Sequence, residues 1–139
     1  MIDLHTHSSF SDGSFTPEQL IHEAAFQRLS AVALTDHDSI EGLDRFLAAG
    51  RDSAVRAVPG VEISADCAQG TMHILGYLID HHEPGLRDSL ATIRAGRVAR
   101  NNEILKHIND MGMPLTMTEV AAYAGEDNIG RLHFAQAMV

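Results

Sequence analysis

MIDLHTHSSFSDG at residues 1–13 reads as a short strand that ends in histidines, and AVALTDHD at 31–38 ends a second strand in the same way. Ile2–Leu4 is a short apolar run that ends in His5, Thr6 and His7, and a polar turn then closes on Asp12-Gly13. Side chains alternate faces along an extended strand, so His5 and His7 point the same way. Two imidazoles on one face, with the Asp12 carboxylate arriving from the next turn, are the beginning of a metal site. The second apolar run, Ala31–Leu34, ends in Thr35-Asp36-His37-Asp38. Two strands that each finish in His and Asp imply a site at the carboxyl edge of a parallel sheet.

Outward from these strands, helix signals alternate with strand signals. Thr16-Pro17-Glu18-Gln19 combines an N-cap, a proline at the first helical position and a Gln three residues past the cap. Leu20, Ile21, Ala24, Ala25 and Leu29 follow at helical spacing. Ser39 is expected to cap a second helix that buries Ile40, Leu43, Phe46 and Leu47 and stops at Gly50. A third strand is expected over Arg56–Val58, broken by Pro59-Gly60. Val61–Ser64 and Thr71–Leu78 read as two more strands, joined by a turn around 66–70. This alternation implies an α/β fold of right-handed βαβ units on a parallel sheet or barrel.

The pattern changes after Asp80. Pro84 to Met111 reads as one long helix with Leu86, Leu90, Ile93, Ile104, Leu105 and Ile108 as its apolar positions. Thr116-Met117-Thr118-Glu119 is a capping box that opens a shorter helix to about Ala124. The expected division is therefore a helical insertion or cap over 84–127, on an incomplete barrel portion formed by 1–83 and 128–139. Four or five strands precede the final helix, whereas a closed barrel needs about eight. The expectation is a fragment, a truncated product or a chain that a second one completes, with an unfinished sheet that favours self-association.

Composition narrows the function. The chain has 139 residues, 45% apolar and 21% charged, enough for one domain with a real core. Its net charge of −9 counts against a coat for long duplex nucleic acid. Bound divalent metals would offset several carboxylates, so phosphate could still be attracted. One cysteine, Cys67, excludes an internal disulfide framework. No run approaches the roughly eighteen apolar residues of a membrane span, and the start carries no leader pattern, so a cytoplasmic location and no membrane partner are expected.

Further residues extend the candidate site. Glu62 lies between Val61 and Ile63 in a segment that reads as buried, so it should be paired or bound to metal unless it faces water on an edge strand. His73 shares a strand face with Leu75 and Tyr77, where a lone histidine is more often structural. Arg131 and His133 stand near a helix start, a suitable place to hold phosphate. Arg94, Arg97 and Arg100 recur every three residues and are read as a solvated helix face rather than a track for a phosphodiester chain.

In order along the chain, DLHTHSSFSDG, TDHD, PGVE, HILGY and GRLHFA resemble the motifs of the PHP family, the polymerase and histidinol phosphatase superfamily of metal-dependent phosphoesterases. The helical insertion is similar to the branch containing nucleotide 3′,5′-bisphosphate phosphatases and 5′–3′ exoribonucleases of short RNA. The resemblance implies the N-terminal portion of a distorted (β/α)7 barrel, with two or three divalent ions at the strand ends. It implies that His5 and His7 bind one metal, that Glu62 bridges to a second held by His73, and that Asp12 and His37 hold a third. Arg131 and His133 would contact the substrate phosphate, while Asp36 and Asp38 would orient imidazoles from behind. The residues carrying the reaction would be Asp12, His37, Arg131 and His133.

Such a ligand set suits Mn, Fe or Zn. The reaction implied is hydrolysis of a phosphate ester by a metal-activated water, on a phosphorylated small molecule, a nucleotide or a short RNA. Family members carry further ligands in a His-Pro motif and in an Asp-x-His near the end of the barrel; no His-Pro occurs among these 139 residues, and no Asp-x-His follows residue 82. Weak or incomplete metal binding is therefore expected of the chain alone. A histidinol-phosphate-type phosphatase and a non-catalytic metal-binding or assembly module are the alternatives.

Overall fold

The computed structural model describes residues 1–68, 70–124 and 129–139. A β-strand at Ile2–Thr6 (β1) leads through a long turn to a helix at Pro17–Phe26 (α1). A strand at Ala31–Leu34 (β2) and a helix at Leu43–Arg51 (α2) follow. Two strands, Arg56–Cys67 (β3) and Gly70–Tyr77 (β4), complete the sheet. Three helices come last: Pro84–Asp110 (α3), Met117–Ala121 (α4) and Arg131–Ala137 (α5). Among the described residues, no helix is long and apolar enough to cross a membrane.

The sheet order is β1-β2-β3-β4. β1, β2 and the first part of β3 are parallel, as their intervening helices require. β4 returns antiparallel on the second part of β3, from Gly60 opposite Tyr77 to Cys67 opposite Gly70. Pro59-Gly60 does not break β3, contrary to the sequence reading. The strand changes partner there instead, pairing Pro59 with Leu34 of β2 and Gly60 with Tyr77 of β4. Gly60 makes the crossing possible, since a Cβ on it would stand 2.8 Å from Gly76 O and 2.8 Å from Thr35 Cγ2. The expected turn around 66–70 includes residue 69, and the expected boundary at 127/128 adjoins 125–128. Residues 69 and 125–128 lie outside the described set.

The helix starts follow their capping chemistry where it is local. Thr16 Oγ1 accepts the Gln19 amide while Gln19 Oε1 accepts the Thr16 amide, and Thr116 and Glu119 repeat the pattern. α2 departs from expectation: it begins at Leu43 after Gly42, with no side-chain cap. Ser39 Oγ accepts the Glu41 amide in a turn, and buried Gly42 lies against Phe10, Pro17 and Leu34, where a Cβ would crowd all three. The loop between β2 and α2 is thus fixed by packing rather than by a cap. α2 also runs past Gly50, and α4 stops at Ala121 rather than near Ala124.

Two apolar clusters hold the fold. One joins α1, β2, α2, β3 and the start of α3 around Ile21, Leu34, Leu43, Phe46, Val61 and Leu90. Burying a side chain such as Phe46 contributes about 1.5–3 kcal/mol. The other gathers Ile108 of α3, Leu115, Val120 of α4 and Phe134 of α5. α3, about 40 Å long at 1.5 Å per residue, spans from one cluster to the other.

Candidate metal centre

Glu62 is the hub of the site. It sits on β3 just past the crossing, 3% exposed. The Glu62 amide donates to Asp36 O at 3.2 Å, and Glu62 O accepts the Asp38 amide at 2.8 Å. The main chain after β2 therefore brackets Glu62 and brings His37 beside it. Four imidazoles converge on its two oxygens. His5 Nε2, His7 Nε2 and His37 Nδ1 lie 2.9, 3.1 and 3.4 Å from Oε2, and His73 Nδ1 lies 2.6 Å from Oε1.

Asp12 forms a second focus. Its Oδ1 is 3.5 Å from His7 Nδ1 and its Oδ2 is 3.5 Å from His37 Nε2. The rings of His7 and His37, 4.6 Å apart at their centroids, therefore stand between two carboxylates. The turn presenting Asp12 is tightly wound: Ser11 N and Gly13 N both donate to Ser8 O. A Cβ on Gly13 would meet His7 O at 2.1 Å, so only glycine fits there.

The structure brings His5, His7, Asp12, His37, Glu62 and His73 together, as the motif order implies. Three overlapping triads have ligand atoms within 4.8 Å of one another: His5, His7 and Glu62; His7, Asp12 and His37; His37, Glu62 and His73. Ligands about 2.0–2.1 Å from one ion stand roughly 3.0–3.4 Å apart, so these separations fit divalent ions. The electrostatics agree. A hydrogen bond with His37, foremost, holds Asp12 down to about 2. Burial lowers His7, favouring the neutral ring that a metal needs. Burial acts to raise Glu62, but hydrogen bonds with His5 and His73 outweigh it and the carboxyl is lowered. Burial also opposes a proton on His37, yet Asp12 prevails and raises it, so a metal competes with that proton.

Asp36 and Asp38 have work that the sequence does not reveal. Asp36 Oδ1 accepts the Ser8 amide at 2.7 Å and Ser11 Oγ at 2.6 Å, and its Oδ2 accepts Ser8 Oγ at 2.6 Å. It fixes the turn that carries Asp12, and it reaches His7 through Ser11, whose Oγ is 3.4 Å from His7 Nδ1. Asp38, fully buried and at φ 50°, accepts the Ser64 amide at 2.7 Å and binds Arg97. The two aspartates thus hold the loops that carry Asp12 and His37.

The arginines of α3 overturn the solvated-face reading. Arg94 donates to Asp38 O at 2.8 Å. Arg97 donates to Asp38 and, at 2.7 Å, to Ser64 Oγ, and its side chain is only 11% exposed. Arg97 and Arg100 line a pocket of about 140 Å³ with Ser11, Asp12, His37, Ser64, His73 and Arg131. Their three-residue spacing marks one helix face, but a sequence does not say what that face covers.

Arg131 and His133 open α5. Arg131 faces the pocket. His133 is 3% exposed, and its Nδ1 accepts the Gly130 amide at 2.9 Å. Burial, acting first, keeps the ring's pKa below its ordinary value despite the nearby Asp12 charge. The neutral ring therefore carries its proton on Nε2.

A family model described as PHP domain matches residues 3–126. The chain is 36% identical over 139 residues to a 3′,5′-nucleoside bisphosphate phosphatase of Chromobacterium violaceum, covering 99% of this chain and 49% of that protein. It is 34% identical over 137 residues to a 5′-3′ exoribonuclease of Haemophilus influenzae, covering 99% of this chain and 50% of that protein. A solved structure from Chromobacterium violaceum, described as an amidohydrolase with bound sulfate and no metal, superposes with a TM-score of 0.93 at 36% identity, over 99% of this chain and 49% of that one. The chain spans about half the length of the curated relatives it matches.

Proposed function

This chain belongs to the PHP domain family, and we propose that it carries the metal-binding half of a phosphoesterase acting on a nucleotide 3′,5′-bisphosphate or the end of a short RNA. The observation that carries this reading is Glu62, a buried carboxylate with four imidazoles on its two oxygens. A lone buried carboxylate is costly, and so dense a set of neutral donors is of little use except around cations.

Under this reading two or three divalent ions, Mn, Fe or Zn, would be held within the three triads by His5 and His7 at one end, His73 at the other and Glu62 between them. When bound, such ions offset phosphate charge and supply an acidified water for attack on phosphorus. The protein's own groups do the rest. Arg131, with Arg97 and Arg100 across the pocket, holds the phosphoryl oxygens and offsets charge that develops on them. His133, with Nδ1 engaged by Gly130, presents an Nε2–H donor toward the same oxygens. Asp12, held anionic, faces both His7 and His37 and would hold an ion together with them, the proton on His37 being released to solvent. Residues 84–127 serve as a cap whose long helix brings guanidinium groups over the barrel portion.

The test is phosphate release by the metal-loaded chain from adenosine 3′,5′-bisphosphate and from p-nitrophenyl phosphate. Turnover lost in Glu62→Gln and His37→Ala is expected. Stoichiometric metal uptake with no hydrolysis of either ester would refute catalysis by this chain and leave a metal-binding module.

A further inference from the structure

Among the described residues, one cluster of metal-ligating side chains shares no residue with the centre built on Glu62. Asp44, in the first turn of α2, meets His81 and His82 from the segment between β4 and α3. The structure gathers all three ligand atoms within 4.8 Å of one another. His81 Nε2 is 3.0 Å and His82 Nε2 is 3.7 Å from the same oxygen, Asp44 Oδ1.

We infer that Asp44, His81 and His82 form a second divalent-metal site, one that takes a borderline ion such as zinc, nickel or copper. Ligands on one such ion stand roughly 3.0–3.4 Å apart; the His81–Asp44 contact at 3.0 Å already lies in that range, and the His82–Asp44 contact at 3.7 Å lies just outside it. Two imidazoles and one carboxylate are the donors these ions prefer. The site is largely built. The His81 side chain is 13% exposed, the His82 amide is held by Asp80 Oδ1 at 3.0 Å, and the two rings lie 4.0 Å apart. One hydrogen bond from His81 already satisfies this face of Asp44. The approach of a second ring to the same oxygen is what a shared ion uses. Asp44 and His82 are 67% and 65% exposed, which leaves the remaining coordination positions to water.

The location gives the ion a consequence. It ties α2 to the segment that enters α3 at Pro84, and α3 carries Arg97 and Arg100 to the pocket. A metal here fixes the root of the helix that lines the catalytic face.

The test is calorimetric titration of the metal-stripped chain with zinc, comparing wild type with His82→Ala, Asp44→Asn and, as a control, His22→Ala at an exposed position of α1. His82 is exposed, so its truncation leaves the core untouched; circular dichroism checks the folding of each variant. His82→Ala and Asp44→Asn are each expected to lose one zinc equivalent, or to weaken it at least tenfold, with His22→Ala unchanged. Zinc is also expected to raise the unfolding temperature less in His82→Ala than in wild type. The inference is overturned if either site variant keeps the wild-type stoichiometry and affinity, or if His22→Ala loses as much. Glu62→Gln removes zinc from the other centre and leaves this equivalent in place, so the two readings fail separately.

Discussion

Replacing Asp36 by alanine should both destabilise the fold and disarm the metal centre, although Asp36 is not itself a proposed ligand. The substitution removes the acceptor for the Ser8 amide and for the hydroxyls of Ser8 and Ser11. Ser8 and Ser11 are 0% and 3% exposed, so those donors stay buried when their acceptor goes. A buried donor left unsatisfied costs about 1–3 kcal/mol, and three together would reach several times that if independent. The hydroxyls can rotate to new acceptors and the Ser8 amide cannot, so the expected loss is about 1–3 kcal/mol. Asp36→Asn is the informative partner. Its amide oxygen still serves the Ser8 N–H and the Ser11 hydroxyl, and its NH2 can donate to a rotated Ser8 Oγ. Burial already raises the Asp36 carboxyl above its ordinary value, so loss of the charge is cheap and a cost of about 1 kcal/mol is expected. Urea unfolding at neutral pH reads the stability, and a metal titration reads the centre. A displaced Asp12 should weaken binding at least tenfold in Asp36→Ala. The reasoning is refuted if both variants lie within about 1 kcal/mol of wild type. It is refuted equally if Asp36→Ala unfolds more easily and binds metal as before.

Three further outcomes are expected. Gly60→Ala places a Cβ 2.8 Å from Gly76 O, so the strand crossing must shift; a loss of about 1–3 kcal/mol in urea, with weaker metal uptake at Glu62, is expected. Arg97→Met strips the partner from the buried Asp38 carboxylate and should cost about 3–5 kcal/mol; adding Asp38→Asn should recover part of it in a double-mutant cycle, and a purely additive cycle would show that the two side chains do not act together. His133 is buried with its pKa lowered, so below about pH 6.5 the unfolded chain binds a proton that the folded chain resists. Stability should therefore fall as the pH drops from 7 toward 5, and the His133→Asn variant, whose side-chain oxygen can accept the Gly130 amide, should show a flatter curve in pH-dependent thermal unfolding.

The donors and most of the elements that carry them are legible along the chain. His5, His7 and Asp12 lie within eight residues, so strand periodicity and one turn suffice to group them. The capping boxes at Thr16 and Thr116 are equally local and form as read. The pairings that depend on packing join residues far apart in sequence. Arg97 meets Asp38 from 59 residues away, and nothing in the spacing of Arg94, Arg97 and Arg100 says whether their face meets water or a carboxylate. Asp44 and His81 meet across 37 residues. The resemblance implies that Asp36 orients an imidazole, but no local signal shows that its oxygens are claimed by a turn 25–28 residues upstream. β3 reads as two strands because proline and glycine interrupt it, and it forms as one because Gly60 lets two backbones pass where a side chain would not fit. Periodicity and capping act over one or two turns, so they are legible in order along the chain. The partner of a buried charge is set by which surfaces the core brings face to face, and that is a property of the packed molecule.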